Sequence, residues 1–244
     1  MKKPGPDWRS VVALHRRIAA ACDAKALGEI YFHWGGERFL AERAPSIAEL
    51  GERLARALLP KVKAGGVSLW VGAGVAELPV LLAEVLLRGR DVVATNLRTR
   101  EVEVLNDALD KAAPDLPLRY VVGDATEIAA GRTFDHLGCI SVFTDPETWP
   151  LLSDVAYGRI APVQIDVERF VAERDEARTL AGKLFARLAH PGLVTTSAEE
   201  VPWFLECAAA AEVDYEAGEE LIDTAVVGDP VGFVTFAAPP RSPD

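Results

Sequence analysis

Apolar positions along the chain follow a helical period at first and then alternate between strand and helix patterns. Val11, Leu14 and Ile18 lie on one face of a segment running from Trp8 to about Ala24, which Asp7 can cap. The stretch Gly28–Phe39, GEIYFHWGGERF, has no regular period and does not read as a clean helix. Ser46 followed three residues later by Glu49 has the form of a capping box. Ile47, Leu50, Leu54 and Leu58 then keep helical spacing until Pro60. Residues 1–65 therefore read as a helical N-terminal cap or lid.

Beyond that point the pattern changes. Short apolar runs at Val67–Val71, Asp91–Thr95, Leu118–Val122 and Phe134–Phe143 predict strands. Between the first three runs lie helical stripes, one through Leu78, Leu82 and Leu86 to Gly89, the other through Val102, Leu105 and Leu109 after Thr99. Residues 144–166, with Pro146, Pro150, Gly158 and Pro162, read as a loop, followed by a charged helix over Val167–Leu188. His190-Pro191-Gly192 turns into a fifth strand, Leu193–Thr196, and Ser197 with Glu200 predicts a capped helix to about Ala211. Leu221–Val227 and Val231–Ala237 form a hairpin about Gly228-Asp229-Pro230. This order predicts an α/β domain over residues 66–238, with a doubly wound, mostly parallel sheet of Rossmann-like type and an antiparallel C-terminal hairpin strand. Residues 239–244 read as a frayed tail.

In such a sheet a ligand sits beyond the carboxyl ends of the strands. The loop after the first strand, Gly72-Ala73-Gly74-Val75-Ala76-Glu77, lets backbone approach a ligand closely. Asn96 ends the second strand, where a ribose-binding side chain belongs, and Asp124-Ala125 follow the third, where a carboxylate can accept from an adenine amino group.

Charge narrows the partners. With 26 Lys and Arg against 37 Asp and Glu the net charge is −11, which argues against nucleic acid as a partner. Three cysteines without CxxC spacing suggest free thiols and a cytoplasmic setting. No apolar run reaches the roughly 18 residues of a membrane helix. The four histidines show no metal-binding spacing, so no metal is expected, and a homo-oligomer is left open.

The order VSLWVGAGVAE, VVATN, RYVVGDATEI and FDHLGCISVF, continued by LVTTS and the closing hairpin to about residue 237, resembles the class I S-adenosylmethionine-dependent methyltransferases. The resemblance implies that Gly72, Ala73 and Gly74 wrap the methionine part of S-adenosylmethionine. Asn96, with Leu97 beside it, would hold the ribose, and Asp124 with Ala125 the adenine. The sequence departs from the family pattern at Trp70 (usually acidic), at Ala76 (usually glycine) and at Asn96 (usually a carboxylate). Glu77 is the acid left in the loop to compensate.

On the acceptor side, Asp145 is a candidate base or acceptor-binding group, and Tyr157 with Arg159 could orient a carboxylate. Tyr31 and Trp34 could wall off a sulfonium by cation–π contact, with His33 as a second candidate base. The expected function is methyl transfer from S-adenosylmethionine to a small molecule in biosynthetic metabolism. The alternatives are aminocarboxypropyl transfer or cyclisation, as in nicotianamine synthase-like enzymes, a non-catalytic binding module, and an NADP-dependent oxidoreductase. In the last, Arg98 and Arg100 would hold the 2′-phosphate.

Overall fold

The computed structural model describes residues 6–31, 36–223 and 229–238. Strands β1 (Val67–Val71), β2 (Asp91–Asn96), β3 (Tyr120–Val122), β4 (Phe134–Cys139) and β5 (Leu188–Ser197) are parallel. Strands β6 (Tyr215–Ala217), β7 (Ile222–Asp223) and β8 (Pro230–Phe236) complete the sheet, in the order β3-β2-β1-β4-β5-β8-β6 with β7 also on β8. β8 runs antiparallel to β5. The chain thus has the expected Rossmann-like fold, with its topological switch point between β1 and β4.

Strand side chains alternate between two apolar layers, as a sheet covered on both faces requires. Trp70 and Ala94 face helices α1 (Trp8–Ala21), α3 (Gly36–Leu58), α4 (Leu78–Arg88) and α5 (Thr99–Ala112). Leu69, Val71 and Val93 face the opposite layer, built mainly on α8 (Val167–Phe185) and α9 (Val201–Ala210). Val11, Ile18, Leu54 and Leu58 belong to the same core as Leu78 and Leu105, so the first and third helices pack directly on the strand-linking helices. Local signals act as read: Asp7 and Ser10 form a reciprocal cap on α1, and Gly89 ends α4 at φ 59°.

Several boundaries differ from the sequence reading. The glycine-rich stretch contains the end of α2 (Ala24–Tyr31) and the start of α3, where a Cβ at Gly28 would strike the Glu37 nitrogen at 2.2 Å and one at Gly36 the Gly28 carbonyl oxygen at 2.0 Å. These glycines permit a close helix crossing. Ser46 and Glu49 therefore lie inside α3, which also runs through Pro45. A short helix α6 (Ala125–Ile128) follows β3, and the segment read as a loop holds α7 (Pro150–Ala156), where Pro150 takes the first helical position and needs no N–H donor. β5 begins at Leu188, ahead of the expected turn, and its pairing shifts register between Phe134 and His136. Ser197 caps nothing: its Oγ accepts from the Ser141 N–H, and Glu200 accepts from the Phe143 N–H. β6 is short and exposed, so it leaves no apolar trace.

One polar cluster lies within the core. Arg90, with no exposed side-chain surface, donates to Glu84 at 2.8 Å, to Ser68 Oγ at 3.0 Å and to Asp135. Glu84 also accepts from the Trp70 indole at 2.7 Å and from Ser68. His136 bridges Ser68 at 3.1 Å and Thr195 at 2.8 Å. α4, β1, β4 and β5 are thereby joined below the apolar layer. Removing one partner of a buried ion pair strands the other charge. Arg90→Met is expected to cost about 3–5 kcal/mol in urea unfolding; a loss below about 1 kcal/mol, as for an exposed pair, would contradict this account.

Candidate functional site

A cavity of about 1040 Å³ opens at the carboxyl ends of β1, β2 and β4. Its floor is the loop after β1. Gly72 has φ 67°, which an L side chain rarely adopts, and a Cβ there would meet Val142 at 3.1 Å. At Gly74 a Cβ would lie 2.4 Å from Glu101 Oε1 and 2.6 Å from the Tyr31 hydroxyl. Glycine is thus required here because a side-chain pair from α2 and α5 crosses the loop.

That pair sets the electrostatics. The Tyr31 hydroxyl donates to Glu101, a fully buried carboxylate in the first turn of α5. Burial pushes Glu101 up to about 7, with Tyr31, Arg98 and Asn96 pulling it down and Glu77 pushing it further up. Glu77 Oε2 accepts from the Gly74 N–H at 2.8 Å, and burial raises its pKa against that bond. Two carboxyls with raised pKa values therefore flank the glycine loop.

Most of the remaining candidates fall around the same cavity. Asn96 is buried and bonded at both ends of its amide: Nδ2 donates to the Ala73 carbonyl at 2.9 Å and to Glu101 at 3.2 Å, while Oδ1 accepts from the Arg98 N–H at 2.8 Å with one lone pair left over. Leu97 beside it is 64% exposed on the cavity wall, unusual for a large apolar side chain. Asp124 caps α6 through the Thr126 N–H at 2.7 Å, with Ala125 next to it on the same wall. Ala73 lies behind the wall, its N–H bonded to the Thr95 carbonyl at 3.0 Å. Asp145 is ion-paired to Arg98 at 3.1 Å, and Arg98 also meets Glu147 at 3.1 Å. Arg100 pairs with Glu103 at 3.3 Å. Tyr157 donates to Asp229 at 2.6 Å, and the Arg159 guanidinium stands 4.6 Å over its ring. His33 and Trp34 lie outside the described residues.

Trp70 does not reach the cavity: its ring lies against Gly138 on the helix side of the sheet. Glu101, Ser141 and Asp229 were not singled out in sequence. For Glu101 the available signal is an acid in the first turn of the helix after the second strand. Among the described residues, no group of histidine, cysteine, aspartate and glutamate could hold a metal, and no helix is long and apolar enough to cross a membrane.

No family model and no curated protein matches the chain. Solved structures similar to it include precorrin-6Y C5,15-methyltransferase from Geobacter metallireducens, at 14% identity and TM-score 0.46 over 80% of this chain and 87% of that one. A methyltransferase from Pyrococcus furiosus matches at 14% identity and TM-score 0.48, over 77% and 83%. TrmN from Thermus thermophilus matches at 14% identity and TM-score 0.47, over 75% of this chain and 48% of that one.

The raised Glu101 pKa has a consequence for stability. Between its ordinary value of 4.5 and about 7 the folded chain holds a proton that the unfolded chain has lost. Stability therefore falls as pH rises through that window. Glu101→Gln is expected to flatten this slope in urea unfolding followed against pH; an unchanged slope would show that Glu101 is ionised throughout.

Proposed function

We propose that the cavity binds S-adenosylmethionine and that the chain is a transferase, most simply a methyltransferase acting on a small molecule. The observation that carries this reading is the pair of carboxyls at the glycine loop. Glu77 takes up the Gly74 N–H that a diphosphate would otherwise use, and Glu101 stands beside it. Such a loop repels a pyrophosphate and attracts a cation. S-adenosylmethionine brings a sulfonium and an ammonium to that end.

The rest of the wall suits an adenosyl group. Leu97 offers an apolar face for a purine, Asp124 an acceptor for its amino group, and the Asn96–Glu101 corner acceptors for ribose hydroxyls. When bound, S-adenosylmethionine supplies an electrophilic methyl. The protein's part is to align the acceptor beyond Val142 and Asp145 and to exclude water, with Tyr31 closing one side. Asp145 and Arg98, paired with each other, would orient the acceptor. Against an NADP-dependent oxidoreductase, both arginines that could hold a 2′-phosphate already face carboxylates. The acidic balance of the chain favours a small-molecule acceptor over nucleic acid.

Calorimetry should give micromolar binding of S-adenosylmethionine and none of NADPH. A bound cation favours the ionised carboxyls, so binding expels protons and affinity should rise as pH increases through about 7. For S-adenosylhomocysteine, which lacks the sulfonium charge, the rise should be smaller. Binding of NADPH with silence towards S-adenosylmethionine would overturn the proposal.

A further inference from the structure

After β4, three hydroxyls line the cavity wall: Ser141, Thr144 and Tyr157. Behind them lies Asp229, 4% exposed and outside the cavity lining. Its Oδ2 accepts from Tyr157 at 2.6 Å and from Ser141 at 2.8 Å. No cation pairs with it among the described residues. A buried carboxylate only accepts, and each hydroxyl has one proton to give. Tyr157 and Ser141 have therefore both spent their protons on Asp229. Thr144 Oγ1 lies 3.3 Å from the Tyr157 oxygen, a contact to which Tyr157 cannot give its proton while it donates to Asp229. Tyr157 and Ser141 therefore turn only lone pairs to the cavity.

Ser141 is held in this position at a cost. It lies just past β4 at φ 53°, a region that non-glycine residues seldom occupy, and its N–H is tied to Ser197 Oγ at 3.1 Å. Strain of this kind persists where the surroundings over-determine it, and it clusters at binding sites.

From this geometry we infer that the Ser141–Tyr157–Asp229 cluster is the acceptor-binding site, and that it selects a small molecule presenting a hydrogen-bond donor, a hydroxyl or an amine, over a carboxylate or phosphate. This inference rests on the cofactor reading above. A donor from the acceptor would complete the Tyr157 oxygen and the Ser141 oxygen, whereas an anion would face lone pairs backed by a buried negative charge. The carboxylate acceptor that Tyr157 and Arg159 suggest in sequence is thereby disfavoured. The same arrangement handles the proton that an alcohol or amine must lose: it moves to the Tyr157 oxygen as the tyrosine's own proton passes to Asp229. Tyr157 is left unchanged and Asp229 neutral. Asp229 is a positioning residue, acting on the acceptor through Tyr157 and Ser141.

The test uses the full chain saturated with S-adenosylhomocysteine, with phenol, benzylamine and benzoate as probes in calorimetry. Phenol and benzylamine should bind about tenfold or more tightly than benzoate. In Asp229→Asn the amide can donate to Tyr157 and release its proton to the cavity, so the phenol-to-benzoate preference should fall about tenfold or reverse. Ser141→Ala, which removes one acceptor and relieves no packing, should weaken phenol while S-adenosylhomocysteine binds as before. Benzoate binding as tightly as phenol, an unchanged preference in Asp229→Asn, or no probe binding at millimolar concentration would overturn the inference and leave the cofactor reading standing. Failure of S-adenosylhomocysteine itself to bind would overturn both.

Discussion

Arg90, in the turn between α4 and β2, is buried with no solvent to share its charge, and it answers to two carboxylates, Glu84 from α4 and Asp135 from β4. Desolvating such a group costs several kcal/mol unless every partner is in place. The partners fix the relative positions of β1, β4 and α4, because each comes from a different element. β1 is held twice, through Ser68 and through the Trp70 indole. The glycine loop emerges from this anchored strand and turns into α4, so its position over the cavity follows from the charge cluster beneath. Trp70, where the resembling family carries an acid, belongs to that anchor and faces away from the cavity.

The cavity inherits a consistent electrostatic character. At the glycine loop Glu77 and Glu101 are carboxyls that burial keeps poised for protonation. Elsewhere on its wall, Ser141 and Tyr157 point their protons towards Asp229. Glu200, buried nearby and pushed up to about 8 chiefly by desolvation, braces the Phe143 backbone. Among the cations lining it, Arg98 is held by Asp145 and Glu147 and Arg159 by Asp154 at 3.9 Å. A ligand that is cationic at its reactive end, and an acceptor that brings its own protons, complement this arrangement better than any anion does.

Much of this was legible in the sequence because period and punctuation act locally. The strand–glycine–helix order, the Asp7 and Gly89 caps and the placement of Gly72, Asn96 and Asp124 at strand ends all follow from neighbouring residues. What escaped depends on distant ones. Gly28 and Gly36 look like irregular chain until two helices are seen to cross there. Pro150 reads as a breaker but starts a helix. Ser197 and Glu200 fit a capping box, yet their side chains are drawn to the loop after β4. Asp229 carries no local mark and Glu101 only that of an acid in a first helical turn, since their importance comes from burial against Tyr157 and Tyr31, residues 72 and 70 positions away.

In the proposed function one cavity takes an adenosyl ligand with its sulfur arm at the carboxyl pair. A crystal structure of the protein grown with S-adenosylhomocysteine tests it most directly. The account predicts the homocysteine arm over Gly72–Glu77, the ribose hydroxyls at Asn96 and Glu101, and the adenine against Leu97 with its amino group at Asp124. A ligand bound elsewhere, or a cavity empty at saturating ligand, would contradict it.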